Sequence, residues 1–328
     1  MTMSGADALP AVLTTRHARE LGVRHLLRNG TYERVGQGLH LVVTADPADP
    51  DVRIALASAG LPPGVVLGGW AAARLHERAR LGGRAGPPQF DGVARVTGDV
   101  LPVLLLAGRE TRLSPKPWRN LVRSVVPAGE RVARGPHLVT SPVRTAFDLA
   151  RLGPVPDAVV ALDRLRTLRL VTVEALGAMI GARAGWRGAH QARRVLAFST
   201  DRSESPQESA LRVLWCESGL PRPVPNATVL DGLGRFVARV DLLDPDAGLV
   251  GEYDGAVHAS SGRRSADSAR QERLEQLGLT VVRATAVDVL SESGRTAWKA
   301  RLRQAHVRAR SRTSADRRWR LARAGDVA

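Results

Sequence analysis

The stretch Arg239–Gly255, RVDLLDPDAGLVGEYDG, decides how the chain is read. Two short apolar runs, Arg235 to Leu243 and Leu249 to Tyr253, flank Pro245-Asp246, and that pair supplies the turn of an antiparallel hairpin. Each run carries one carboxylate, Asp241 in the middle of the first and Glu252 at the end of the second. Both positions follow apolar strand residues, Val240 and Val250, so the two acids are expected to converge at one strand-end notch. Hard carboxylate oxygens arranged in this way suit Mg²⁺ or Mn²⁺.

Working outward, SESPQESALRVLWCESG from Ser203 gives a proline-started helix that stops at Gly219, with Glu208, Leu211, Arg212 and Trp215 at helical spacing. Ala227 to Leu230 adds a strand before the hairpin. A helix from about Arg264 to Gln276, Gly278, a strand from Leu279 to Ala284 and a final helix follow. The expected order is αβββαβ.

That order, with Asp241 and Glu252 in those places, resembles the restriction-endonuclease-like core of the PD-(D/E)XK superfamily. EYDGAVH, followed by Asp267, Arg270, Arg273, Leu274, Gly278, Val282, Arg283 and Asp288, resembles its very-short-patch-repair-like branch over about ninety residues. The resemblance implies a metal-dependent DNA endonuclease or nickase, with Asp241 and Glu252 holding Mg²⁺ or Mn²⁺ and Arg270 contacting DNA. The lysine of the superfamily motif is replaced by Asp254, which either adds a ligand or base or merely starts the turn at Gly255. His258 is the histidine the branch would use for proton transfer, or else a surface residue. Glu208 either approaches the metal from the first helix or caps that helix.

At the other end, TTRHARELGVRHLLRNGTYERVGQGLHLVV predicts a helix over Thr15 to Leu21, a glycine turn, a second helix over Val23 to Arg28, and a hairpin through Gly36-Gln37-Gly38. This stretch resembles the winged helix-turn-helix of AbiEi-type antitoxins. The resemblance implies a DNA-reading helix bearing Arg24, His25 and Arg28, with Arg34 on the wing. Residues 46–200 predict a mixed α/β middle region with isolated histidines at 76, 137 and 190 and an exposed Gly/Pro-rich loop at 82–88. The expected divisions are 1–45, 46–200, 201–294 and a basic helical tail over 295–328, giving an α/β multidomain chain.

Lys and Arg number 48 against 32 acidic residues, a formal charge of +16, and residues 295–328 carry eleven Lys or Arg against Asp316 and Asp326. A basic arm of that kind contacts phosphate or is simply solvated. The arginine-rich, lysine-poor composition also fits a GC-rich coding bias, so the total charge decides little. No apolar run is long enough for a membrane span and one cysteine, Cys216, precludes an internal disulfide; a cytoplasmic chain without a membrane partner is expected. Two rivals to the nuclease remain: a DNA-binding regulator in which the nuclease-like part is a scaffold, and an antitoxin whose basic surface meets a cognate toxin protein.

Overall fold

The computed structural model describes residues 9–82, 89–95, 97–113, 116–255, 261–312, 316–323 and 326, the side chains of 261–267 excepted. His258 and most of the expected 82–88 loop lie outside the described residues. The chain is mixed α/β and divides into two compact units, residues 1–93 with 99–148, and 94–98 with 149–328.

The first unit begins with a small antiparallel sheet of β1 (Val12–Thr14), β2 (Tyr32–Gly36) and β3 (Leu39–Val42), in the order β1-β3-β2. Between β1 and β2 lies α1 (Thr15–Glu20), capped by Thr14, whose hydroxyl accepts the His17 N–H at 3.0 Å. The second helix expected over Val23 to Arg28 is instead a single 3₁₀ turn, Arg24–Leu27. Gly22 and Gly30, both at positive φ, bracket it.

The rest of this unit is a five-stranded sheet. It contains β4 (Val66–Gly68), β5 (Val103–Ala107), β6 (Arg119–Arg123), β7 (Arg131–Arg134) and β8 (His137–Thr140), in the order β6-β5-β4-β8-β7. The helices α2 (Pro50–Ser58) and α3 (Gly69–Leu81) belong to it, and α4 (Pro142–Leu152) follows β8. Arg74, nearly buried on α3, holds Asp51 with two 2.8 Å bonds, Nε to Oδ1 and Nη2 to Oδ2, which fixes α3 against α2.

His76 is buried on α3, with Nε2 2.7 Å from the Thr140 carbonyl oxygen. Its role in this unit is structural. Burial holds His76 and His137 below the ordinary histidine range, so protonation favours the unfolded chain. The first unit is therefore fully stable above about pH 6.5 and loses stability as pH falls below that value toward the depressed folded-state values. Hydrogen exchange of β8 at pH 7 and pH 5 checks this, and His76→Gln should flatten the difference.

The second unit opens with α5 (Val155–Thr167), α6 (Val173–Ala182) and α7 (Ala189–Phe198). These helices were expected in a middle region, but α5 is tied to α8 (Pro206–Glu217) through a buried charge pair. Arg212 and Asp163 are each almost wholly buried, and the Arg212 guanidinium meets the Asp163 carboxylate directly. Asp163 also accepts the Thr200 N–H at 2.7 Å and the Ser209 hydroxyl at 2.6 Å, leaving the cluster well paired.

Beyond α8 come β9 (Val224–Asp231), β10 (Phe236–Asp244), β11 (Leu249–Tyr253), α9 (Ser261–Gln276) and β12 (Thr280–Ala284), the expected order of helix, three strands, helix and strand. The sheet runs β12-β11-β10-β9-β13, the last being Trp319–Leu321, with β11 and β12 parallel and the other neighbours antiparallel. One core packs Trp215 and Leu211 of α8 with Leu242 and Leu249; another packs Leu274 of α9 with Val240, Leu243 and Val250. Gly251 allows this closeness, since a Cβ there would stand 3.0 Å from the Trp215 ring.

Residues 295–328 do not form a detached tail. After α10 (Ala286–Leu290), α11 (Glu292–Arg310) buries Trp298, Leu302, Ala305 and Ala309 in the same core as Trp215. The short strand β13 (Trp319–Leu321) then completes the sheet edge against β9. The apolar spacing of α11, Trp298, Leu302, Ala305 and Ala309, is present in the sequence beneath the run of arginines. Among the described residues no helix is long and apolar enough to cross a membrane.

Candidate active site

Antiparallel pairing of β10 with β11 sets Leu242 opposite Gly251 and Leu243 opposite Val250. The next residue of each strand is Asp241 on β10 and Glu252 on β11, and the Glu252 charge acts on the Asp241 carboxyl. Parallel pairing extends the row, since Glu252 is in register with Arg283 of β12. The Tyr253 N–H donates to Asp241 Oδ2 at 2.8 Å and fixes that carboxylate to the end of β11.

Glu252 is 7 % exposed and meets a cation from α9, with Arg270 Nη2 at 2.8 Å from Oε1. The angles at that contact do not satisfy a hydrogen bond, so it is an ion pair held by charge. The same Nη2 donates to the Arg239 carbonyl at 2.6 Å, which leaves it less available to Glu252. Arg270 thus lies in the carboxylate notch as the resident positive charge.

The Asp241 carboxyl is pushed up to about 6, chiefly by burial, with the negative charges of Glu208 and Glu252 adding to the rise. The Tyr253 N–H and Arg270 oppose it without cancelling it. A cation entering the notch would favour the ionised form. That is the electrostatic condition for a metal site, and it is met by oxygen donors of the type magnesium takes.

Glu208 sits at the first turn of α8 and closes a cap: Ser205 Oγ donates to Oε1 at 2.8 Å while the Glu208 N–H donates back to that hydroxyl at 3.2 Å. Its Oε2 accepts from the Glu204 N–H at 3.0 Å and from Asn226 Nδ2 at 2.8 Å. The capping role expected as one alternative is therefore present, and the Glu208 charge still reaches Asp241. Asp254 follows Tyr253, with Oδ2 3.6 Å from Arg283 Nη1 and its N–H bonded to the Ala284 carbonyl at 2.7 Å.

Among the described residues no three His, Cys, Asp or Glu side chains converge closely enough to hold a metal. Two carboxylates suffice for Mg²⁺, which keeps several waters and completes its shell with substrate phosphate oxygens. Asp241 and Glu252 fit that pattern.

Asn226 escaped the sequence reading. It lies on β9 between Pro225 and Ala227, which pair with Leu242 and Val240 of β10, and its Nδ2 donates to Glu208 Oε2 and to the Arg202 carbonyl. Its φ of 49° is left-handed, a conformation rare in a strand and tolerated by Asn better than by most residues. The signal was Pro225-Asn226: a residue with no N–H followed by one that accepts positive φ.

In the first unit Arg24, His25 and Arg28 are exposed and, with Asn29, line an open depression of about 400 Å³. No carboxylate pairs with those three basic side chains among the described residues. Arg34 is exposed on β2, its Nε bonded to the Gly36 carbonyl at 3.2 Å.

No protein-family model matches the chain. Two uncharacterized proteins of Mycobacterium tuberculosis, MT2308 of strain CDC 1551 and Rv2248 of strain H37Rv, are each 36% identical over 162 residues. That match takes in 49% of this chain and spans 59% of the length of those relatives. A crystal structure of the Rv2827c protein from the same organism aligns over 61% of this chain and 75% of its own, at 16% identity and a TM-score of 0.34.

Proposed function

We propose that the second unit is a metal-dependent DNA endonuclease or nickase centre of the very-short-patch-repair-like PD-(D/E)XK type. The observation that carries this reading is that Asp241 and the buried Glu252 lie on neighbouring strands, close enough for the Glu252 charge to add to the burial that raises the Asp241 carboxyl. Asp241 and Glu252 would hold Mg²⁺ or Mn²⁺. When bound, such an ion polarises a phosphoryl oxygen and lowers the pKa of a coordinated water.

The chain's own residues divide the remaining work. The Tyr253 N–H keeps Asp241 aimed along the notch, and Arg270, bridging Glu252 and the Arg239 carbonyl, lies where it can turn to a phosphate. Asp254, at the place of the motif lysine, steadies Arg283 rather than supplying a cation. The test is incubation of the chain with supercoiled, nicked and mismatched DNA and either metal, beside Asp241→Asn and Glu252→Gln. Metal-dependent cutting by the wild type alone supports the reading, and binding without cutting on every substrate overturns it.

The first unit would bring DNA affinity through the basic 3₁₀ turn that stands where the second helix of a winged helix-turn-helix was expected. Its short 3₁₀ turn favours backbone contact over base reading, because the unpaired Arg24, His25 and Arg28 surround a depression rather than align along a helix. Arg24→Ala with Arg28→Ala should weaken binding across all duplex sequences and reduce the log–log salt slope by about 1.8, at about 0.9 per phosphate contact. Filter binding over a salt series reads that slope; an unchanged slope assigns the two arginines to another role.

A second reading, a non-catalytic DNA-binding regulator with a cognate toxin protein as partner, draws on one observation. Arg270 already neutralises part of the Glu252 charge in the notch, as a fold kept for binding alone would require.

A further inference from the structure

Arg270 reaches the carboxylates from α9, and that helix is anchored to the sheet one turn further on by Leu274, wholly buried against Val240 and Val250. The arginine side chain itself is 34% exposed. One guanidinium nitrogen, Nη2, serves two oxygens: the Arg239 carbonyl at 2.6 Å with hydrogen-bond geometry, and Glu252 Oε1 at 2.8 Å without it. The carbonyl holds the guanidinium, and Glu252 is met by charge alone. Among the described residues Oε1 accepts no hydrogen bond, and Arg283, in register with Glu252 on β12, has Asp254 at 3.6 Å as its own carboxylate.

A contact of this kind is exchangeable. A buried carboxylate is costly without a positive partner, but nothing in the geometry at Oε1 requires that partner to be a guanidinium. A divalent ion on the same carboxylate would meet Arg270 at short range, and like charges so placed in a mostly buried notch repel. The two cations therefore exclude each other at Glu252. The exposed part of Arg270 gives it a way out toward solvent, and a phosphate is an anion whose oxygens match the planar fork of a guanidinium.

We propose that Arg270 gates the metal site: its guanidinium and the divalent ion compete for Glu252, and a phosphate that draws Arg270 away admits the ion. The proposal rests on the reading of Asp241 and Glu252 as a metal pair. It makes metal and DNA strengthen each other's binding by one common factor, because each favours the arrangement in which Arg270 has left Glu252. Arg270 is thus a positioning residue that loads the ion chiefly when a strand is present.

The experiment titrates Mn²⁺ into the full chain at pH 8.0, well above the value of about 6 for Asp241, with Arg270→Met and Arg270→Lys beside the wild type. Arg270→Met keeps an apolar stem and removes the competitor. It should bind Mn²⁺ about tenfold tighter, between the small worth of an exposed ion pair and the larger worth of a buried one. Arg270→Lys restores a cation and should return the affinity toward that of the wild type. A merely structural Arg270 would, when lost, loosen the notch and weaken Mn²⁺ binding, so the sign separates the two roles; melting curves in EDTA verify that each variant is folded.

The phosphate half is read in EDTA with a short duplex. Glu252→Gln releases Arg270 and should bind the duplex about fivefold tighter than the wild type, the upper range for one exposed ion pair, and Arg270→Met added to it should erase the gain. Equal or weaker Mn²⁺ binding by folded Arg270→Met overturns the gate and leaves the metal reading standing. A duplex gain that survives in the double variant comes from the lost negative charge and overturns the link to phosphate. If neither the wild type nor Arg270→Met takes up Mn²⁺, the metal reading falls and the gate falls with it.

Discussion

Asp163→Asn should lower the stability of the second unit by about 3–5 kcal/mol, the usual result of removing one partner of a buried ion pair. Arg212 is almost wholly buried, and its remaining bonds, Nε to the Phe198 carbonyl at 3.0 Å and Nη1 to Ser203 Oγ at 2.6 Å, carry no compensating charge. The variant also weakens the acceptor shared by the Thr200 N–H and the Ser209 hydroxyl. Urea unfolding of wild type and variant measures the loss. Asp163→Leu combined with Arg212→Met should recover most of it, because two apolar side chains leave no charge buried alone. A loss below about 1 kcal/mol for Asp163→Asn would mean that apolar packing, not this pair, joins α5 to α8.

The second large effect is opposite in sign for stability and function. Asp241 has a folded-state value of about 6 against an ordinary 3.8, so the folded chain holds its proton more tightly than the unfolded chain does. Stability from this group is full below the ordinary value and declines as pH rises through about 6. At neutral pH the ionised carboxylate costs about 1–3 kcal/mol, after allowance for its partly exposed edge. Asp241→Asn keeps an acceptor for the Tyr253 N–H and removes that charge. It should therefore melt higher than wild type at pH 7.5, match it near pH 4, and abolish metal-dependent cleavage. A lower melting temperature at pH 7.5 would show the ionised carboxylate to be part of a stabilising network.

Much of the second unit was legible because its strands alternate and its turns carry Pro, Asp and Gly. Leu249–Tyr253 has the bounds expected of it, and α8 stops within two residues of Gly219. The first unit was less so. β4, β7 and β8 are three or four residues long, too short to show a period, and they form a sheet only through partners far apart in sequence. The joining of α5 to α8 was hidden for a different reason, since Asp163 and Arg212 lie 49 residues apart and only the fold buries them together.

The same division runs through the candidate site. Asp241 and Glu252 were expected near each other because each lies on one strand of a hairpin whose Pro245-Asp246 turn is written in the sequence. Arg270 was visible as a basic residue on α9, but its ion pair with Glu252 depends on how the helix is set against the sheet. The left-handed backbone of Asn226 is a local conformation that strand periodicity does not reveal.

Isothermal titration of Mn²⁺ into the full chain at pH 7.5 tests the central claim most directly, because it reports the carboxylate pair without requiring the right DNA substrate. The account predicts one weak site in the wild type, lost in Asp241→Asn and in Glu252→Gln and retained in Arg24→Ala with Arg28→Ala. An absence of binding heat in the wild type, or the same heat in Asp241→Asn, would contradict it.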